Sequence, residues 1–371
     1  MIESYHAFGS DFDEGTIRQM QDVIRLPITA AASLMPDAHQ GYGLPIGGVL
    51  ATRNAVIPYA VGVDIACRVK LTVFDKLFTD VKIDKLIYAL KKYTRFGVGA
   101  CYHKRQHHPV MDKDWSFSSV LQNNKDLAWS QLGTSGSGNH FVEFGYNQTG
   151  HLSLLSHSGS RKTGYETASY YSAIARRKRP EFGHLAWLDI DSCEGQEYWK
   201  AMLLMGEYSS ANHAMIHDSV ISHLGYDVLQ QIENHHNFAW LEHHNNEKLV
   251  VHRKGATPAG NGVLGIICGT MVDKSYIVAG KGNPDSLASA SHGAGRCMSR
   301  TQAKKKFSDH LLLRAANERE VHVISAGIDE HPLAYKDIDL VMNAQADLIQ
   351  VVDFFQPSVV MMSPSHERAE D

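Results

Sequence analysis

A histidine set among small residues carries the most reactive pattern in this chain. His292 stands in Ser291-His292-Gly293-Ala294-Gly295-Arg296, inside a stretch (281–301) rich in glycine, alanine and serine. Small residues let another molecule approach the backbone, and glycine admits φ > 0. Free N–H groups in such a loop form a nest for phosphate oxygens, and a nearby arginine can grip phosphate through two parallel hydrogen bonds. A histidine there is well sited to attack phosphorus. Taken alone, the same residues also describe a glycine-rich turn with a hydrogen-bonded histidine. The other reactive residues decide.

A second set has metal-binding chemistry. Asp64 and Cys67 lie three apart in Gly62-Val63-Asp64-Ile65-Ala66-Cys67, between two apolar runs. A carboxylate and a thiolate so spaced can curl round one ion or bridge two; a capping aspartate beside a buried cysteine is the alternative. His140 ends the Gly/Ser-rich run 133–139, and His157 follows the apolar run 151–156. If those two runs pair as a hairpin, the two histidines become co-ligands. Of the adjacent His235 and His236, one is expected to face a site, because successive side chains on extended chain point to opposite sides. Asp37 and His39 offer a hydrogen-bonded pair or an Asx-type turn, and Arg253 and Lys254 add positive charge where phosphate would lie.

These residues need elements to hold them. The segment 35–48, with four glycines and two prolines, reads as a loop or a series of turns. Strand patterns occupy 55–61, 68–74, 151–156, 248–252 and 358–362; helical periodicity occupies 86–93, 165–177, 196–224, 298–320 and 337–355. Tyr198, Met202, Met205 and Tyr208 recur at three and four and read as core. The polar stretch 101–124 reads as a surface excursion, a candidate RNA-facing segment. With no Pro/Ser-rich linker and no internal repeat, we expect one large α+β domain over 1–371, mixed sheets with flanking helices, and a flexible polar tail from about 363.

Composition narrows the class. Apolar residues make up 43% and charged ones 20%, ordinary for a globular chain, and no apolar run approaches the roughly 20 residues that span a bilayer. A net charge of −4 provides no global basic field, so any nucleic acid must meet a local patch. Five scattered cysteines without a CxxC pair, and an N-terminus with no basic-then-apolar signal, lead us to expect a cytoplasmic protein. Twenty-two histidines make a metal or phosphoryl-transfer site worth seeking.

From about Met35 to the end, the ordered set of motifs resembles the RtcB family of RNA-splicing ligases. The matching pieces are Gly62-Val63-Asp64-Ile65-x-Cys67, Gly138-Asn139-His140-Phe141, His157-Ser158-Gly159-Ser160-Arg161, His236-Asn237, Arg253-Lys254-Gly255-Ala256-Thr257, Ser291-His292-Gly293-Ala294-Gly295-Arg296 and Ala334-Tyr335-Lys336-Asp337-Ile338. The resemblance implies that His292 attacks the α-phosphate of GTP and becomes guanylylated. It implies two Mn²⁺ ions held by Asp64, Cys67, His140, His157 and His236, with Cys67 bridging. Asn139, Glu143, Asn237, Cys268, Gly269, Thr270, Met271, Ser275, Gly293, Ala294 and Gly295 would contact the guanylate. RNA with a 2′,3′-cyclic phosphate or 3′-phosphate would be joined to a 5′-hydroxyl end, in RNA repair and tRNA splicing, with room for an archease-like activator as partner.

The chain departs from that pattern at three places. Cys268-Gly269-Thr270-Met271 stands where the family commonly has Pro-Gly-Ser-Met, Pro258 where an arginine usually follows Gly-Ala-Thr, and Met362-Ser363 near the family's C-terminal Lys-Gly. Two other readings use the same residues: a metal-dependent phosphoesterase that activates water against RNA-end phosphates without GTP, and a non-catalytic RNA-end binding protein.

Overall fold

The apolar runs become strands, and the pairing of the strands decides where the reactive residues lie. The computed structural model describes residues 4–364. Its larger sheet runs in the order Leu264–Ile267, Ser275–Gly280, Ile349–Met362, Phe141–Asn147, His151–Ser158, Arg68–Leu77 and Val228–His235, with His322–Ser325 pairing off this path against Ile349–Met362. A second sheet of five strands runs His6–Ala7, Thr29–His39, Ile46–Thr52, Glu247–Lys254 and Asn237–His244. His236 is the single residue between Val228–His235 of one sheet and Asn237–His244 of the other. It therefore sits where the two sheets meet.

Helices cover these sheets in one mixed α+β domain, as expected. Cys193–Leu224 begins where the Ser192 side chain accepts from the Gly195 N–H and ends at Gly225 in the left-handed region, the usual chemistry of the two helix ends. Its Tyr198, Met202, Met205 and Tyr208 are fully buried, each such side chain contributing about 1.5–3 kcal/mol. His213 and His217 of the same helix tie it to the sheet through Ser156 Oγ, at 2.8 and 2.9 Å. Among the described residues no helix is long and apolar enough to cross a membrane.

Several elements differ from the sequence expectation. The segment 35–48 is mostly strand: Thr29–His39 and Ile46–Thr52 pair antiparallel with a register shift between Leu34 and His39, leaving only a short turn. Pro36 is tolerated at that irregularity, and Gly47 permits the close pairing, since a Cβ there would lie 2.7 Å from Ala38 Cα. Run 55–61 splits into strand Ala55–Val56 and a helical turn, Pro58–Val61, because Pro58 presets the helical φ. The excursion 101–124 keeps an exposed tip at 103–107 but buries Val110, Met111 and Trp115 and opens helix Ser119–Gln131.

The expected helix 298–320 breaks into Arg300–Lys306 and Asp309–Glu318, because the Ser308 side chain starts a new helix by accepting from the Leu311 N–H. The expected helix 337–355 is only Ile338–Ala344; the chain beyond it forms strand Ile349–Met362 between two partners in the sheet. Its β-branched and aromatic residues fit a pleated surface once neighbours are present. Of the proposed tail, Ser363 is buried, and 365–371 lie outside the described residues.

Candidate active site

In an antiparallel sheet the start of one strand lies beside the end of its neighbours, and this brings distant residues together. Cys67 immediately precedes Arg68–Leu77, whose first residues Arg68 and Val69 oppose Ser158 and His157 on one side, while Arg68 opposes His235 on the other. His140 immediately precedes Phe141–Asn147, where Phe141 opposes His157, so the expected hairpin is present. Cys67 Sγ lies 3.1 Å from His157 Nε2 and 3.5 Å from His140 Nε2. His157 Nε2 lies 3.3 Å from His236 Nε2, and Asp64 Oδ2 lies 3.2 Å from His140 Nε2. His235 points away, against Phe238 and Trp240.

The protonation of this cluster is set by its partners. His140 Nδ1 donates to the Ser135 carbonyl at 3.0 Å and His157 Nδ1 to the Asn139 carbonyl at 3.1 Å. With Nδ1 so engaged, each ring turns its Nε2 toward Cys67. Burial pushes His157 down to about 3 and His236 well below the usual range, so both rings are uncharged. Burial would raise the Asp64 carboxyl, but His140, Cys67 and Arg161 outweigh it and leave it ionised, at about 2. Asp64 Oδ1 accepts from the Ser160 N–H at 2.9 Å, whereas the buried Oδ2 has no hydrogen-bond partner.

Facing lone pairs about 3 Å apart repel unless a cation lies between them. Cys67 is near both His140 and His157, Asp64 is near His140, and His236 is near His157. The donor atoms of Cys67, His140 and His157 all lie within 4.8 Å of one another. A cysteine sulfur and two imidazoles this close, with the Asp64 carboxylate and His236 beside them, are a donor set that suits a divalent transition metal.

His292 lies directly beside this cluster, its ring 4.8 Å from that of His236. Its partner is Asp37, one of the two residues for which the sequence left a pair with His39 or an Asx-type turn open: Asp37 Oδ2 accepts from His292 Nδ1 at 2.7 Å and from the His292 backbone N–H at 3.2 Å. His39 Nδ1 meets only the Asp37 carbonyl. Strand Ser289–Ser291, which carries His292, pairs with Ala256–Pro258, and the Cys268 N–H donates to the His292 carbonyl. Gly295, at φ 72°, passes so close to Asp37 that a Cβ would lie 2.0 Å from its carbonyl oxygen. No other residue fits there.

The geometry can be set beside known proteins. A family model described as tRNA-splicing ligase RtcB matches residues 19–129 and 112–363. The RNA-splicing ligase RtcB of Escherichia coli is 35% identical, over 90% of this chain and 91% of its own length. The tRNA-splicing ligases RtcB of Thermococcus kodakarensis and Nanoarchaeum equitans are 30% and 31% identical, over 92% and 94% of this chain and 90% and 92% of theirs. The chain belongs to the RtcB family.

In this RtcB-family chain the metal-type cluster and His292 line one cavity of about 840 Å³. Asn139, Glu143, Cys268, Gly269, Thr270 and Met271 line it too, as do Asn237 and Gly293, Ala294 and Gly295. Ser275 does not; it lies behind the wall, its Oγ accepting from the Gly269 N–H at 3.2 Å. Asn237 is a brace, donating to the Asp64 carbonyl and accepting from the Gly255 N–H. Burial raises the Glu143 carboxyl well above the usual carboxylate range. Arg253 is turned away into a bidentate pair with Glu242.

Lys254 does line the cavity, and burial draws its ammonium down to about 7. Asp37 was missed as the partner of His292 because nothing local joins residues 255 apart. Arg296 and Arg300 also line the wall, held by Glu330 and Asp329. Only Arg296 had a signal in sequence, its place in the Gly-Ala-Gly-Arg loop.

Proposed function

We propose that this chain is a GTP- and Mn²⁺-dependent RNA ligase that joins 2′,3′-cyclic phosphate or 3′-phosphate ends to 5′-hydroxyl ends through guanylylated His292. The observation that carries this reading is the Asp37–His292 pair. With Nδ1–H committed to Asp37, Nε2 keeps its lone pair as a nucleophile, and the ring stands beside the five donors proposed to hold metal. Its attack on the α-phosphorus of GTP forms a P–N bond and breaks the bond to the β-phosphate oxygen, releasing pyrophosphate. A 2′,3′-cyclic end is first opened by water, which adds to phosphorus and breaks the P–O2′ bond to leave a 3′-phosphate and a 2′-hydroxyl. A 3′-phosphate oxygen then attacks the guanylyl phosphorus, breaking the P–N bond and freeing His292; the 5′-hydroxyl oxygen attacks that 3′-phosphate, loses its proton, and expels GMP. Manganese held by Asp64, Cys67, His140, His157 and His236 would neutralise the non-bridging oxygens during transfer. The five cysteines are free thiols, in keeping with action in the cytoplasm.

Incubation with α-labelled GTP and Mn²⁺, followed by denaturing electrophoresis, should leave label on the protein. Release of phosphate from cyclic ends without GTP, and with no label, would instead indicate a phosphoesterase.

The Asp37 pairing makes its own prediction. Asp37→Asn preserves shape but offers an N–H to Nδ1, favouring the tautomer with its proton on Nε2. Labelling should slow by up to ~10⁴-fold, the effect of the corresponding change in a Ser-His-Asp triad. A time course within a few-fold of wild type would contradict the proposed tautomer.

Met362 predicts the nucleotide requirement. It lines the cavity and packs with Met271, Val272 and Leu312, where the family's lysine ammonium would meet nucleotide. Of the candidate substitutes, Lys336 lines the cavity but its Nζ already donates to the carbonyls of Asp11, Pro36 and Ala38, and Lys304 pairs with Asp329 at 3.6 Å. Loss of one hydrogen bond from a charged group weakens binding by about 10- to 150-fold, from roughly 1.5–3 kcal/mol. Met362→Lys should therefore tighten GTP selectively over ATP in a guanylylation titration. Strong GTP preference in the wild type, unchanged in the variant, would refute this.

A further inference from the structure

One lip of the cavity is aromatic. The short turn after strand Thr29–His39 holds Tyr42 out into solvent, 71% exposed. Its ring stands edge-on to His184 at 5.7 Å, and His184 meets Tyr59 at 4.5 Å. The Arg176 guanidinium lies 5.9 Å from the Tyr59 ring, at the basic end of helix Arg161–Lys178. Tyr42 and Tyr59 both line the cavity that contains His292.

The turn is braced. Lys254 Nζ donates to the carbonyls of Tyr42 and Leu44 at 2.6 and 3.0 Å. Gly43, at φ 72°, lies against His184, where a Cβ would come within 3.1 Å of the His184 carbonyl oxygen. A tyrosine this exposed contributes little to the core, yet its backbone is held in place from beneath. On the side of Tyr59, Arg176 and Arg177 are exposed, whereas Lys178 and Arg179 beyond them are paired with Glu194 and Asp189. Burial, and then Arg176 and Lys254, lower His184, so at neutral pH its ring is a flat uncharged face.

We propose that Tyr42, backed by His184 and Tyr59, is a stacking platform for one unpaired base of the RNA strand whose end enters the cavity, with Arg176 meeting the adjacent phosphate. This rests on the reading of the chain as an RNA ligase, and adds where the strand is held. Every base has a π-face, so an aromatic platform holds RNA ends of any sequence.

The test is titration of a short fluorescent single-stranded RNA bearing a 3′-phosphate into wild type, Tyr42→Ala and Tyr42→Phe, followed by anisotropy. Tyr42→Ala should bind about 5- to 150-fold more weakly, the equivalent of ~1–3 kcal/mol for one stacked base, and Tyr42→Phe should bind like wild type. A fully paired RNA duplex, which offers no free base, should bind all three proteins alike. Wild-type affinity in Tyr42→Ala, equal loss in Tyr42→Phe, or equal weakening on the duplex would overturn the platform. The titration needs no catalysis. Failure to label His292 with GMP would count against the ligase reading and leave this comparison intact.

Discussion

His292→Ala should carry no covalent GMP after incubation with α-labelled GTP and Mn²⁺, a loss on the order of 10⁶-fold, as when another enzyme loses its covalent nucleophile. The physical case is the isolation of this ring. It alone joins a backbone fixed by strand pairing, a carboxylate on Nδ1 and a position beside the metal-type cluster. His236, the neighbouring imidazole, is already turned into that cluster toward His157. The fold should survive, because the His292 backbone N–H still donates to Asp37. Some stability should be lost, about 1–3 kcal/mol, since Asp37 is buried and loses its second donor. His292→Gln returns an amide donor without a nucleophilic nitrogen. It should be as inactive as the alanine variant, which separates catalysis from folding. Label persisting in His292→Ala would place the nucleophile elsewhere.

The second large effect concerns Cys67. A ligand shared between two ions costs more to remove than a ligand to one. In the proposed site the shared ligand is Cys67, whose Sγ lies within 3.5 Å of Nε2 of both His140 and His157. Cys67→Ala should therefore lose most of both manganese ions, a drop in affinity beyond the ~10- to 100-fold that outer partners of a metal site cost. His236→Ala, at one flank, should retain part of its metal. Metal analysis after manganese loading and desalting distinguishes the two variants. Both ions retained in Cys67→Ala would show that the thiolate does not bridge. Because thiolate ordinarily favours zinc, the same experiment with Zn²⁺ should show tight binding to the wild type and loss in the variant.

Much of this site is legible along the chain because its chemistry is local. Glycine, serine and histidine at the ends of apolar runs mark strand ends, and at His140, His157 and His292 those strand ends line one cavity. Their order along the chain identifies the family before any pairing is known. Local patterns fail where pairing overrides propensity: Ile349–Met362 has a helix-compatible spacing of apolar residues at its start, but sheet neighbours on both sides make it a strand. Proline and glycine at 36, 41, 43 and 47 read as turns, yet two of them lie inside strands at a bulge and a close approach.

By itself, the sequence determined the set of reactive side chains, their order and the family, since these are properties of residue type and spacing. Only the tertiary structure decided who meets whom. Asp37 reaches His292 across 255 positions, His236 stands at the junction of two sheets, and Ser275 falls behind the wall it was expected to form. The exposed Tyr42 stands on a turn whose carbonyls are held by Lys254, more than two hundred residues later. Such contacts depend on register and on the crossing of sheets. Both arise from burial summed over many distant residues, and no short stretch of sequence contains that sum.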